Sequence, residues 1–539
     1  MQRRDAPIFH FNQLRPEIVD EVTRRVTDAR RDAARERPSE SLAYVLNDLV
    51  INEQKRLRKI APPDTLEDKR RVDAVARALG SGAPEDELGR LLAVQVRAYA
   101  EDIAGSFSVP AYRVASRILP RVLSFLLTPH DLEHGLVGLG AIAERLRVEG
   151  DLAQLRRLSE RGVLIVVPTH LSNLDSPLVG FALEQAGLPP MTYGAGKNLF
   201  TSPLTSYFMA RLGAYKVDRR LRFGLYKEVL KTFSQVILER GLHSIFFPGG
   251  TRSRSGAVER KLKLGLAGTA LSAYIEQLRW LGPEAARRYY FVPLTLNQPL
   301  VLEAETLIED HLKETGRDRY IIEDDEFTRI GRVVTFARKL LTMDQAIEVR
   351  FGAPRDPFGN PVDEEGRSHD RRGREVDPSR YVLAHGVPAH HRARDEEYTR
   401  ELGTLIADDF LAGSIYFPTH LVALVLFAHL ERELPDFDLY QRLRHPRAID
   451  LPLGEVAARV DRVRKAIEKH AERLGRLSER AAVEDGMRVT LDALDAFAGY
   501  HTHPAASLAG NQVVLGDREL LLYYRNRLAH HAPALEAAK

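Results

Sequence analysis

The sequence predicts an α/β fold: a central, mostly parallel β-sheet flanked by helices, preceded by a helical N-terminal domain and followed by a helical C-terminal region. Three observations predict it. Between about Gly150 and residue 352, short apolar runs at 163–167, 214–217, 244–247, 290–296 and 346–351 alternate with helical stretches such as 222–239 and 265–277, the pattern of a parallel sheet with crossover helices. Residues 16–105 are highly charged but set apolar residues at helical spacing (Val19, Val22, Val26; Leu42, Val45, Leu46, Leu49, Val50). Helical spacing returns over 397–441, 455–497 and in a final helix at 520–529.

In chain order, the expected units are a helical domain over 1–108, broken at Pro62-Pro63 and at 80–84, an α/β domain over 109–352, and a loop insertion with helices over 353–539. The α/β unit opens on residues 109–128, where Arg113, Arg117 and Arg121 recur every four residues opposite Val114, Ile118, Leu119, Val122 and Leu126. A basic amphipathic helix of this kind either lies in a membrane interface or packs on the core as an ordinary surface helix, ended or kinked by Pro120. Residues 353–397 are rich in Pro, Gly, Asp and Arg and read as a long loop; no internal repeat is apparent.

Composition narrows the function classes. The 539 residues suffice for two or three domains, and 44% apolar with 28% charged residues is ordinary for a globular protein. A formal charge of +3 is nearly balanced and gives no argument for a nucleic-acid partner. The absence of cysteine excludes disulfides, thiolate zinc sites and cysteine nucleophiles. The N-terminus has no apolar h-region, and the longest apolar run, 421–428, is too short to span a bilayer. Neither a signal peptide nor a transmembrane helix is expected.

The chemistry points to Val163-Leu-Ile-Val-Val-Pro-Thr-His170-Leu-Ser-Asn-Leu-Asp175-Ser-Pro177. A buried strand ends at Pro168, a polar turn carries His170 and Asp175, and Pro177 suits the first turn of a following helix. A carboxylate so placed can bond one imidazole nitrogen and leave the other free to take a proton. With 18 histidines, roughly one His-x4-Asp arises by chance. Two more copies, His390/Asp395 and His445/Asp450, lie in polar stretches with no strand before them, so context singles out the first.

A second constellation follows the strand at 244–247: Phe247-Pro-Gly-Gly250-Thr251-Arg252-Ser253-Arg254. Its glycines would let the backbone approach a ligand, and its arginines suit phosphate oxygens. Arg219 ends another strand, in Gly213-Ala-Tyr-Lys-Val-Asp-Arg219, and Lys261 and Lys263 add charge. The plain alternative is a turn with solvated arginines. No Gly-x-Ser-x-Gly elbow precedes a helix, so a covalent acyl-enzyme is not indicated. A histidine base without its own nucleophile suits direct transfer to a hydroxyl, and a phosphate cradle suggests a phosphorylated alcohol as acceptor.

These blocks, in order, resemble the glycerolipid acyltransferase family, and within it the bacterial membrane-associated glycerol-3-phosphate acyltransferases and their dihydroxyacetone-phosphate relatives. The matching stretches are His170–Asp175, Gly213–Arg219 with the similar Gly194-Ala-Gly-Lys-Asn198 before it, Phe247–Arg254, and Val292-Pro-Leu-Thr-Leu. Weaker likeness runs through Val301-Leu-Glu303-Ala, Val349-Arg-Phe-Gly352, Pro418-Thr-His-Leu-Val422 and Tyr523-Tyr-Arg-Asn526, so it covers most of 110–530.

The resemblance implies acyl transfer from acyl-CoA or acyl carrier protein to the sn-1 hydroxyl of glycerol 3-phosphate, giving lysophosphatidic acid. It implies work at the cytoplasmic face of a membrane as a peripheral protein, without metal or organic cofactor, since the thioester is already activated. His170 would be the general base and Asp175 its orienting partner. Arg219, Arg252 and Arg254 would hold the acceptor phosphate with Ser253 beside them, and amides near Gly250 and Thr251 would meet the oxyanion. The chain departs from the family at Gly249, where a glutamate is usual. Glu303 and Asp218 are candidate replacements, and the departure leaves open another acceptor, dihydroxyacetone phosphate or lysophosphatidic acid. A non-catalytic lipid-binding scaffold and a hydrolase are the readings from other classes.

Overall fold

Seven strands build the central sheet of the computed structural model: β1 (Leu146–Glu149), β2 (Gly162–Pro168), β3 (Thr192–Gly196), β4 (Ala214–Val217), β5 (Ser244–Ile245), β6 (Arg288–Asn297) and β7 (Ile347–Phe351). The structure describes residues 6–58, 66–116, 146–197, 209–218, 220–221, 223–315, 346–499 and 501–539. The strand order is β1-β7-β6-β2-β5-β3-β4, and every neighbouring pair is parallel except β6 with β7. The fold is therefore the mostly parallel α/β sheet that the sequence predicts.

Strand β2 lies in mid-sheet and explains its unbroken apolar sequence. Val163, Ile165 and Val167 face a core shared with helices Ala267–Ala285 and Arg392–Ala412. Leu164 and Val166 face another, shared with helices Asp175–Gln185 and Pro418–Glu433. A strand buried on both faces has no polar side to alternate. Because β2, β5 and β6 run parallel, their C-terminal ends open onto one edge, where ligands gather in such sheets.

Two strands escape sequence reading for physical reasons. Strand β1 (Leu-Arg-Val-Glu) is an edge strand with charged side chains. Strand β3 (Thr-Tyr-Gly-Ala-Gly) has two glycines, residues depleted in strands; a Cβ on Gly194 would meet the Tyr215 ring of β4 at 3.0 Å.

The N-terminal helices α1 (Phe11–Glu36), α2 (Leu42–Leu57), α3 (Leu66–Gly80) and α4 (Glu85–Ile103) bury their apolar faces in a core that includes Tyr215 of β4 and Val229, Phe233 and Val236 of helix Gly224–Glu239. Arg25 of α1 grips Glu239 through both oxygens, at 2.9 and 2.7 Å. Of the basic amphipathic stretch, residues 109–116 are helical, with Ala111 buried, Arg113 exposed and Tyr112 donating to Glu184 at 2.8 Å. Its remainder, with Arg117 and Arg121, lies outside the described residues.

The expected loop over 353–397 is folded. Arg355 exchanges backbone hydrogen bonds with Phe291 of β6 and binds Asp409 through both carboxylate oxygens, at 2.6 and 2.7 Å. Phe358 is buried against Tyr274, Tyr381 and Tyr398. A short repeat not apparent from sequence alone organises the segment. Asp356, Asp363 and Asp370 each accept the amide of the residue four positions on, at 2.9, 2.8 and 3.0 Å. Each also takes a bond from that residue's side chain: Asn360, Arg367 or Arg374. Gly359, Gly366 and Gly373 supply the left-handed residue in each turn, with φ of 86°, 81° and 76°.

The long apolar run 421–428 is core: helix Pro418–Glu433 is buried from Pro418 through Leu430. Among the described residues, no helix is long and apolar enough to cross a membrane. The expected helical runs over 397–441 and 455–497 break into shorter helices. Strands Asp450–Pro452, Ala506–Ala509 and Gln512–Leu515 add a small antiparallel sheet that helical spacing gave no sign of.

Candidate active site

The turn after β2 is laced to β6 before it delivers any functional group. Thr169 N–H donates to Leu294 O at 2.9 Å, and Thr169 Oγ1 accepts from Leu296 N–H at 3.0 Å. The chain then turns through His170–Leu174 and enters helix Asp175–Gln185. Asp175 is wholly buried at that helix start, where the helix dipole favours a negative charge. Its Oδ2 lies 2.9 Å from His170 Nδ1 and accepts the amides of Leu171 and Ser172 at 2.5 and 2.8 Å; its Oδ1 accepts from Gln298 Nε2 at 2.8 Å. Four hydrogen bonds offset the burial of the charge.

This arrangement fixes the histidine. With Nδ1 as donor to Asp175, Nε2 carries the lone pair, and no described residue bonds it. The ring lies 4.4 Å from the Phe247 ring, and the side chain keeps 15% of its surface open. His170 O accepts from Ser253 N–H at 2.7 Å, which ties this turn to the one after β5.

A buried carboxylate joins the same two turns. Glu303, beyond the end of β6, accepts from Ser172 Oγ at 2.7 Å and from Asn173 N–H at 3.0 Å, and lies 3.3 Å from Arg252 Nη1. Arg252 therefore points inward, toward the histidine turn. Arg254 points along helix Ala304–Thr315 to Glu314, at 2.8 Å, and is more exposed. Ser253 Oγ donates to Ala257 O at 2.8 Å. His170, Asp175, Arg252 and Ser253 thus stand together, Arg254 lies to one side, and Arg219 falls outside the described residues.

The glycines of the second turn are used differently from the sequence reading. Gly250 has a φ of +71° and spends its N–H on Phe247 O at 3.1 Å, so that donor is closed to an oxyanion. The space over the pair is filled by protein. A Cβ on Gly250 would stand 2.7 Å from Lys263 Cδ and Nζ, and one on Gly249 would run into the carboxyl of Glu259, 2.6 Å from its Cδ. The C-terminal segment backs this turn: Asn526 Nδ2 donates to Ser255 O at 2.9 Å, and Gly256 leaves no room for a Cβ against the Tyr523 carbonyl.

Residues 147–297, which include both turns, match the family model described as Acyltransferase. The chain carries an acyltransferase domain. A glycerol-3-phosphate acyltransferase of Xanthomonas campestris pv. campestris is 25% identical to it over 250 residues, 46% of this chain and 25% of that protein. One of Pseudomonas fluorescens is 25% identical over 324 residues, 58% of this chain and 35% of that protein. The chain thus spans about a quarter to a third of the length of these relatives. The crystal structure of a 1-acyl-sn-glycerophosphate acyltransferase from Thermotoga maritima aligns with 47% of this chain and 86% of its own, at 18% identity and a TM-score of 0.23, too low to carry an argument.

Within the acyltransferase domain, sequence reasoning named Glu303 only as a replacement carboxylate and missed Gln298 and Glu259. Gln298 and Glu303 follow the C-terminal end of β6, a position that itself marks candidate ligand-side residues. Asp218, the other candidate, is held by Arg220 through both oxygens, at 2.9 and 2.7 Å. The second His-x4-Asp copy is a surface contact: His390 bonds Glu276 at 2.7 Å and stands 3.8 Å from Asp395. Among the described residues, no group of three or more His, Asp or Glu side chains is arranged to hold a metal ion.

Proposed function

We propose that the chain transfers an acyl group from a thioester, acyl-CoA or acyl-carrier protein, to the sn-1 hydroxyl of glycerol 3-phosphate, giving lysophosphatidic acid. The observation that carries this reading is the His170–Asp175 pair, with Nδ1 held at 2.9 Å and Nε2 left for a substrate proton. His170 Nε2 takes the hydroxyl proton as the alkoxide oxygen attacks the thioester carbonyl, and returns it to the departing thiolate when the tetrahedral adduct collapses. Asp175 keeps the tautomer and stabilises the imidazolium. No enzyme nucleophile is needed, and no covalent intermediate forms on the protein.

Arg252 and Arg254, with Arg219, hold the acceptor phosphate. The two that are described are paired with Glu303 and Glu314, and a phosphate dianion competes for guanidinium groups already placed at the site. With Gly250 N–H closed, the oxyanion falls to donors such as the Thr251 amide. The protein works as a peripheral membrane protein, where its acyl-bearing product partitions.

The test is transfer of a labelled acyl chain from acyl-CoA, or from acyl-carrier protein, by the purified chain with glycerol 3-phosphate, dihydroxyacetone phosphate or lysophosphatidic acid as acceptor. Glycerol 3-phosphate is expected to be used best, with His170→Ala slowed by about 10²–10⁴-fold. Turnover of no acceptor, or a His170→Ala variant as active as the wild type, would sink the reading.

A further inference from the structure

Glu259 stands beside the site and has no part in the reaction as described. It lies ten residues beyond Gly249 on the return limb of the same loop, and its carboxyl group fills the space that any side chain at 249 would need. Its Oε2 is buried and has no hydrogen-bond partner among the described residues. A buried carboxyl oxygen without a partner is costly to a folded protein, and one that feels the charge of Asp175 and lies over Gly249 of the second turn points to a ligand.

The charged groups that face it come from three elements: Asp175 from the helix after β2, Lys263 from the far end of its own loop, and Arg527 from the C-terminal segment. Burial, and then the charge on Asp175, push the Glu259 carboxyl up to about 8, against the pull of Arg527 and Lys263. At neutral pH it is an uncharged acid, able to donate and accept hydrogen bonds without repelling a phosphate dianion.

We propose that Glu259 is a specificity-determining residue of the acceptor subsite, its carboxyl hydrogen-bonding a hydroxyl of the phosphorylated alcohol across Gly249, and that residue 249 is glycine because Glu259 reaches over it. The proposal rests on the acyl-transfer reading above. Glu303 cannot serve, being engaged with Ser172, Asn173 and Arg252, and Asp218 is engaged with Arg220. A side chain at 249 and the present position of the Glu259 carboxyl exclude one another, which makes a swap of the two residues decisive.

Glycerol 3-phosphate binding to the full chain is measured by calorimetry, alongside KM for acceptor and donor. Glu259→Ala is expected to weaken glycerol 3-phosphate roughly tenfold with KM for acyl-CoA unmoved. Glu259→Gln, which keeps a donor and an acceptor, retains most of that affinity. Wild-type affinity falls as pH rises through about 8, where the carboxyl ionises, and Glu259→Gln lacks that limb. Gly249→Glu binds poorly, and adding Glu259→Gly to it recovers part of the loss.

Unchanged affinity in Glu259→Ala, the same alkaline limb in Glu259→Gln, or a swap no better than Gly249→Glu alone overturns the proposal. Should Glu259→Ala fail to fold, the Gln variant and the swap still decide. A wild type that binds glycerol 3-phosphate without transferring acyl chains overturns the reaction but leaves the binding test standing. A wild type that does not bind it overturns both.

Discussion

The turn after β2 and the turn after β5 meet at one edge of the sheet, yet they are held by different means. The first is built from the inside, with Asp175 Oδ2 binding His170, Leu171 and Ser172, all within five residues of it, while Gln298 and Glu303 brace it from beyond β6. The second is shaped by groups from elsewhere, with Glu259 and Lys263 lying over its glycines, Glu303 facing Arg252 and Asn526 bonding Ser255. A histidine needs one invariant geometry for proton transfer, and local bonds supply it. On the proposed reading the second turn is the acceptor pocket, which must fit a particular molecule, and contacts from distant segments shape it.

The largest effects are expected at the first turn. His170→Ala is expected to lower kcat by about 10²–10⁴-fold, the usual contribution of a positioned general base, with little change in KM for the acceptor. Asp175→Asn sets an amide among the His170, Leu171 and Ser172 donors and should lower kcat as well, with a measurable loss of melting temperature. A kcat that survives either change would remove the base from the first turn.

Glu303 is where the two turns depend on each other. It is wholly buried, and Glu303→Ala removes the carboxylate that Ser172 Oγ, Asn173 N–H and the Arg252 guanidinium face. Losing one partner of a buried pair costs about 3–5 kcal/mol. Chemical denaturation should therefore show a large loss of stability, and kinetics a fall in kcat together with a rise in acceptor KM. A change in KM alone would mean that the turns are independent.

The His170–Asp175 pair could be read because the two are sequence neighbours and β2, buried on both faces, is apolar throughout, whereas the Gln298 and Glu303 that brace the same turn come from more than a hundred residues away. The Glu259–Gly249 contact could not, because the nine residues between them give no hint of where a side chain returns. The inward course of Arg252 and the outward course of Arg254 were equally hidden: the two differ by one position either side of Ser253 and are identical as letters. The Asp-Gly turns of 356–374 went unseen because the residues between the fixed positions vary, leaving a pattern that only hydrogen bonding reveals.

Those two arginines give the smallest and sharpest test. Arg254 keeps 28% of its side-chain surface open and pairs with Glu314, itself 60% open, so the ion pair is worth about 0–1 kcal/mol and Arg254→Ala should barely move the melting temperature. Arg252 keeps 15% open beside a fully buried Glu303, so Arg252→Ala should destabilise more and raise the acceptor KM further. Added salt separates the two, since screening weakens the exposed charge more than the enclosed one. The KM defect of Arg254→Ala should shrink at high ionic strength while that of Arg252→Ala persists. Equal and equally salt-sensitive defects would place both guanidinium groups in solvent, and the second turn would then hold its ligand by loose charge rather than by a shaped pocket.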